Sequence, residues 1–408
     1  MVFMRPLIST LLLASSALAH PLTSRAALPT CVQTTSNGFT HPGIYHSCAS
    51  LNRIQSQISA GLSPFTDALT SVISKCNFLK SSTWSMSGPY AEVIWAGDDG
   101  HNIPLQTDGK AAYIMTLGWY ATGNTTWLDR SLTVIRAWST TLNYLNEQIQ
   151  GGEGMAYMTA AAEILRASPA SGWTSTDTAN YLGMFERIRA QPWTDSDGLS
   201  GADFFMNQGA YGNSAVMALA VFAEDAELYN TMVHQATVGD HPDITLDYAI
   251  SIQISAKPDY YGQVTEMGRD QGHPMGTLRA VSYMGLTALI QGKIGGVQTN
   301  FFTHNNTRLI AGWEYWATYN GGEDVPWEER VIRPGSGEVW TVVSETSRGS
   351  DYNNGKSPVE AIGVGYHQYF RMGLARSMPK YTAYLGDLGL GFDTFEFGDP
   401  KSVAALGL

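Results

Sequence analysis

The sequence predicts an all-α chain of paired helices, an (α/α) array, and three observations carry that prediction. Apolar residues recur at three-to-four spacing in one segment after another from about residue 41 to residue 400. Stop and start signals crowd into turns as short as Thr122-Gly123-Asn124-Thr125, a connection that makes two helices an antiparallel hairpin. Strand signals are weak, the best being 339–344, and no strand–helix–strand alternation occurs. The helical pattern is not repeated as a sequence motif, which argues against a regular solenoid.

Residues 1–19 read as a secretory signal. Arg5 supplies the positive start, Leu7 to Ala14 the apolar run, and Ala17-Leu18-Ala19 a small-residue cleavage site ahead of His20. That run is too short to span a bilayer, and no later segment is long and apolar enough. The expectation is a secreted, extracellular protein whose mature chain starts near His20. Residues 20–40 are polar and read as a flexible segment, and 41–400 as one domain. Within it, Ser50 can cap a helix from Leu51 to Lys75 with Ile54, Ile58, Phe65, Leu69 and Val72 on its stripe. Residues 81–106 have loop composition. Asp108 opens a helix running to Tyr120 and closed by Gly123. Thr126 opens the next, with the stripe Leu128, Leu132, Ile135, Trp138, Leu142 and Leu145. Further helices are expected over 155–166, 178–189, 208–221, 226–233, 278–290, 308–319 and 358–375.

A net charge of −12 argues against nucleic acid and against an anionic membrane as partner. Eleven tryptophans and 20 tyrosines supply a large core and also surfaces on which sugars stack. Cys31, Cys48 and Cys76 suggest one disulfide and one thiol in an oxidising compartment, with the pairing open. Asn124 and Asn305 begin glycosylation sequons. No P-loop, dinucleotide fingerprint, Gly-x-Ser-x-Gly, His-Glu-x-x-His or EF-hand loop is present, so neither a metal nor a cofactor is expected. A monomer or a dimer is expected.

The chemistry-rich stretch is Tyr260 to His273, which packs Glu266, Arg269, Asp270, Gln271 and His273 into eight residues. Gly268, Gly272 and Pro274 mark it as a loop feeding the 278–290 helix. This stretch, taken with His41-Pro42-Gly43-Ile44, Leu51-Asn52-Arg53-Ile54, Asp108-Gly109-Lys110-Ala111-Ala112-Tyr113 and Asn207-Gln208…Gly212-Asn213, resembles the alginate lyase domain superfamily over roughly residues 41–376. The nearest relatives suggested are the polysaccharide lyases of family thirty-eight and the secreted fungal proteins around them. The resemblance implies an incomplete (α/α) toroid and cleavage of a uronic-acid polymer, mannuronan or glucuronan, by β-elimination. The consecutive Asn-Asn-His and the His-Tyr helix pair of the family-five lyases are absent.

β-Elimination needs a group that neutralises the uronate carboxylate, a base near C5 and an acid near O4. His273 and a tyrosine of the 308–319 helix, Tyr319 or Tyr315, are the expected acid and base. Arg308, Tyr315 and Tyr319 share one face of that helix. Asn213 and Arg269 are the expected carboxylate holders, although Asn213 serves equally as a helix cap and Arg269 as an ion-pair partner of Glu266. Gln208, Tyr211, Tyr261, Glu266, Arg308 and Arg330 are expected to bind an anionic polysaccharide. The long 326–356 loop, with Arg330, Arg333 and Arg348, reads as a cationic lid. Two rival readings remain. One is an (α/α)-barrel glycoside hydrolase drawing two carboxylates from Asp98, Asp99, Glu153, Asp203 and Glu266. The other is a non-catalytic carbohydrate-binding protein.

Overall fold

A computed structural model describes residues 28–95, 97–190, 206–239, 245–251, 262–295, 299–331, 337–349 and 361–408. Its helices are α1 (Cys48–Ser59), α2 (Ser63–Lys75), α3 (Asn77–Lys80), α4 (Asn102–Thr122), α5 (Thr125–Thr141), α6 (Gln150–Arg166), α7 (Ser175–Arg189) and α8 (Asn207–Ala223). They continue with α9 (Ala226–Thr237), α10 (Leu246–Ala249), α11 (Gly272–Gln291), α12 (His304–Asn320), α13 (Val364–Arg371), α14 (Pro379–Leu388), α15 (Phe392–Phe397) and α16 (Pro400–Ala404). Among the described residues, eight strands of two or three residues, β1 (Thr34–Ser36), β2 (Phe39–His41), β3 (Glu92–Ile94), β4 (Tyr144–Asn146), β5 (Ile250–Ser251), β6 (Gln263–Val264), β7 (Arg330–Val331) and β8 (Val339–Trp340), form four separate two-stranded ladders.

The helices form an incomplete (α/α) toroid. An inner layer runs α4, α6, α8, α11, each packed on the next, while α5 packs against α4 and α9 against α8 from outside. Inner helices are apolar all round because both of their faces are covered; α8 buries fifteen of its seventeen residues. The outer α5 keeps the clean stripe of a half-exposed helix. The α4–α5 hairpin forms as its turn signals require. Gly123 ends α4 at φ 77, and the Asn124 side chain accepts from the amides of Thr126 and Trp127 to start α5. The sequon asparagine, not Thr126, is therefore the cap.

Close approach of α4 and α6 depends on glycine. A β-carbon on Gly154 would sit 2.4 Å from the Leu105 carbonyl oxygen, and one on Gly109 would sit 2.0 Å from that of Gly154. Backbone cannot yield as a side-chain tip can. Gly154→Ala is therefore expected to destabilise the fold by about 1–3 kcal/mol, seen as a lower midpoint in thermal or urea denaturation.

Several local expectations are corrected. The single helix over 51–75 is two, because Gly61 adopts φ 66 after α1. Ser47, not Ser50, is the cap, with Ser50 closing the capping box. Asp108 does not open a helix: it is buried within α4 and accepts from the amides of Ser87 and Gly88 and from the Trp138 indole. Gly272, His273 and Pro274 are the first turn of α11, where a proline removes no needed donor. The end of the 20–40 segment is not irregular. Residues 34–41 make the β1–β2 hairpin with Phe39 fully buried, and Cys31 is bonded to Cys48 at the start of α1. Cys76 is the buried thiol, pushed up to about 11 by burial. Of the expected 358–375 helix, residues 361–375 are described and only α13 is helical, since the chain turns at Met372 and Gly373, the latter at φ 79. Residues 1–27, with the expected signal, lie outside the described residues. No described helix is long and apolar enough to cross a membrane.

At the centre of the toroid Glu396 accepts from the hydroxyls of Tyr113 and of Tyr283 (2.9 Å), with His46 Nε2 3.3 Å away. Burial pushes Glu396 up to about 8, Glu266 up to about 7 and Asp393 up to about 6. The folded chain thus holds protons that the unfolded chain releases near the ordinary carboxylate values. Stability from these groups is complete below the unfolded values and is lost as pH rises through about 6, 7 and 8. Stability, and the melting temperature with it, is expected to fall from about pH 5 to about pH 8, stability by about 1.4 kcal/mol per pH unit and group inside each window. Glu396→Gln should flatten the upper part of that profile in a pH series of thermal scans.

Candidate active site

The amino ends of α6, α8 and α11 open on one cleft of about 360 Å³. That lies within the roughly 300–1,000 Å³ usual for small-ligand sites. Trp95, Gln106, Gln150 and Glu153 line one side, and Asn207, Gln208, Tyr211, Arg269, Asp270 and His273 the other. Helix amino ends carry partial positive charge, so an acidic chain here presents a site suited to an anion.

Each polar group is held. Asp270 Oδ1 accepts from the amides of Gly272 (2.8 Å) and His273 (2.9 Å), which fixes the entrance of α11. Its Oδ2 lies 2.6 Å from His273 Nδ1. Burial works against the Asp270 charge, yet the hydrogen bonds from His273 and Gly272 hold its carboxyl below the usual range. With Nδ1 committed to Asp270, Nε2 is the histidine atom left to act on a ligand.

Tyr211 is one turn above Asn207 on α8, so both face the cleft. A β-carbon on Gly276 would sit 2.8 Å from the Tyr211 hydroxyl, and Gly276 is one turn beyond His273 on α11. The phenol therefore lies over α11 a single turn from the imidazole. Arg279 donates to the Tyr211 oxygen at 2.6 Å and to Glu153 at 2.5 Å. Glu153 also accepts from Gln106 (2.5 Å) and pairs with Lys110 (2.9 Å). Burial opposes the Glu153 charge, and the two cations hold its carboxyl below the ordinary value. Asn207 is buried, and its side-chain oxygen makes no hydrogen bond among the described residues.

Behind this wall Glu266 is buried, accepting from the Asn207 amide (3.1 Å) and the Thr277 hydroxyl (2.9 Å). It supports the cleft and does not line it; its expected ion pair with Arg269 is not formed. Arg269 instead lies 3.8 Å from Asp270 with its side chain about half exposed.

The structure thus brings His273, Arg269, Gln208 and Tyr211 together, and places several expected residues elsewhere. Asn213 is two residues beyond Tyr211, about 200° further round α8, and is buried away from the cleft. Tyr315 and Tyr319 share a face of α12 as expected, but that face is core. The Tyr315 hydroxyl donates to the Pro326 carbonyl at 2.5 Å, and the Tyr319 ring lies under the Arg348 guanidinium at 3.9 Å. Arg308 binds the carbonyls of Asp247 and Ile250 and the Asp247 carboxylate. Arg330 stacks on Tyr248 and donates to Thr265. The described part of the expected lid is sewn to the 266–273 stretch by Ser344 N–Met267 O and Gln271 N–Thr346 O bonds. It brings Ser347 to the cleft and no arginine. Tyr261, Arg333 and Asp203 lie outside the described residues. Asn207 was missed as a site residue although it opens the Asn207-Gln208 motif. The i, i+4 spacing of Asn207 from Tyr211, already an expected binding residue, was the signal that could have found it.

Comparison with known proteins bears on this cleft. Residues 97–245 match the family model described as alginate lyase. A solved alginate lyase from Bacteroides ovatus superposes with a TM-score of 0.58 at 12% identity, covering 88% of this chain and 100% of that one. Alginate lyase A1-III from Sphingomonas species A1 gives 0.52 at 12% identity, covering 86% and 95%. A variant of A1-III complexed with a tetrasaccharide gives 0.53 at 12%, covering 91% and 97%. No curated protein matches the chain. At such identity the likeness is one of fold.

Proposed function

We propose that this chain is a polysaccharide lyase that cleaves a uronic-acid polymer, of the mannuronan or glucuronan type, by β-elimination. The observation that carries the reading is one cleft with an Asp270-held His273 and an Arg279-held Tyr211 one helical turn apart. The match of residues 97–245 to the alginate lyase family model supports the substrate class.

Each group has a role. Arg269, with the side-chain amides of Asn207 and Gln208, holds the uronate carboxylate and offsets the charge that builds on it as the C5 proton leaves. His273 Nε2 takes that proton, and Asp270 stabilises the imidazolium that results. The Tyr211 hydroxyl gives its proton to O4 as the C4–O4 bond breaks and a C4=C5 double bond forms. Arg279 then stabilises the phenolate oxygen through the hydrogen bond it already makes. A glycoside hydrolase would need two carboxyls facing the cleft. Of the carboxyls that line the cleft, Glu153 is tied to Lys110 and Arg279 and Asp270 is tied to His273 and the Gly272 amide, while Glu266 is behind Asn207 and Thr277. The leader-like residues 1–19 and the two sequons support secretion.

The test is a panel of mannuronan, guluronan, glucuronan and a neutral glucan, followed by near-ultraviolet absorbance of the unsaturated product. Absorbance should rise with at least one polyuronate and not with the glucan. Release of reducing ends without absorbance would reject elimination.

A further inference from the structure

The side of the cleft that the chemistry leaves unused carries Trp95. Other described tryptophans are buried or half-buried, whereas Trp95 is 69% exposed. Leaving so large an apolar ring in water forgoes a burial contribution the fold collects from Trp138 and Trp127. Its backbone is nevertheless anchored. Trp95 directly follows β3, which pairs in parallel with β4, and Ile94 bridges to His101 at the mouth of α4. The next residues lining that wall are Gln106 and Gln150, two amides suited to sugar hydroxyls. Arg269 and His273 line the same cleft.

We infer that Trp95 is the stacking platform of a second sugar subsite, adjoining the one that holds the reacting uronate. An aromatic ring beside amide side chains recognises a pyranose: the ring covers its C–H face and the amides take its equatorial hydroxyls. The inference rests on the proposed lyase reading for the ligand's class, and it adds that the cleft grips at least two consecutive sugars. The polymer then runs from the α8–α11 wall across the mouth of the cleft to β3.

The experiment uses full-length protein carrying His273→Ala, so that oligouronates bind without turning over, and follows tryptophan fluorescence on titration with oligomers of increasing length. Binding should tighten on going from one sugar to several, with a change in emission. Adding Trp95→Ala should abolish that emission change and weaken binding of the longer oligomers roughly three- to ten-fold. Binding of the monosaccharide should be unaffected, and Trp95→Phe should restore part of the loss. In the His273-containing enzyme Trp95→Ala should raise KM on polymer while kcat holds. Equal affinity of the Trp95→Ala and parent proteins for the longer oligomers would overturn the platform while leaving the lyase reading intact. Failure of the parent to bind any polyuronate overturns the lyase reading itself.

Discussion

His273→Ala is expected to lower turnover of the proposed polyuronate substrate by about 10²–10⁴, the usual contribution of a positioned base. The fold should be unaffected. His273 is in the first turn of α11 with its side chain partly exposed, and alanine there removes no buried contact of the core. Its backbone amide stays bonded to Asp270 Oδ1, so the entrance of the helix keeps its shape. The measurement is kcat from the rise of product absorbance, beside a thermal scan of the same preparation. The loss should sit in kcat, because a base acts on the transition state and adds little to ground-state binding. Turnover within a few-fold of the parent would remove His273 from the chemistry.

Tyr211→Phe is expected to cost a similar factor, about 10²–10⁴ in kcat. The substitution keeps the ring and deletes only the oxygen that Arg279 holds. Arg279 retains its bond to Glu153, so the buried cation is not abandoned. Tyr315→Phe and Tyr319→Phe are the controls: both rings are in the core around α12, and turnover should persist in each. If Tyr319→Phe alone silenced the enzyme, the cleft assigned here would be the wrong one.

How much of this was legible in the chain depends on which face a residue pattern reports. The α4–α5 hairpin was readable because Gly123 and Asn124 carry local, self-contained chemistry: a left-handed stop and a side-chain cap. The toroid itself came from hairpins in succession and from a resemblance. The inner helices have no stripe to read, since α6, α8 and α11 are covered on every side. Periodicity also misled. Arg308, Tyr315 and Tyr319 do align on one face, but spacing is blind to whether that face meets a groove or the core, and here Asp247, Pro326 and Arg348 occupy it. Asp108 looked like a cap because aspartate accepts from backbone amides; it does so here from inside α4, to a distant loop. The charge-dense 266–273 stretch was visible by composition, and it proved to be one wall of the cleft. Its division of labour was not visible. Whether Glu266 or Asp270 faces His273 depends on a single 3-10 turn over Thr265–Gly268, which turns the former inward and the latter toward the imidazole.

The central claim is elimination, and the most direct measurement is the mass of oligosaccharides released in water enriched in heavy oxygen. On the polyuronate that the enzyme accepts, the account predicts products lighter by one water than the hydrolytic ones, unsaturated at the non-reducing end, with no heavy oxygen introduced by the cleavage. Products that gain one heavy oxygen per bond cut, beyond what exchange at the reducing end supplies, and that carry no double bond would contradict it.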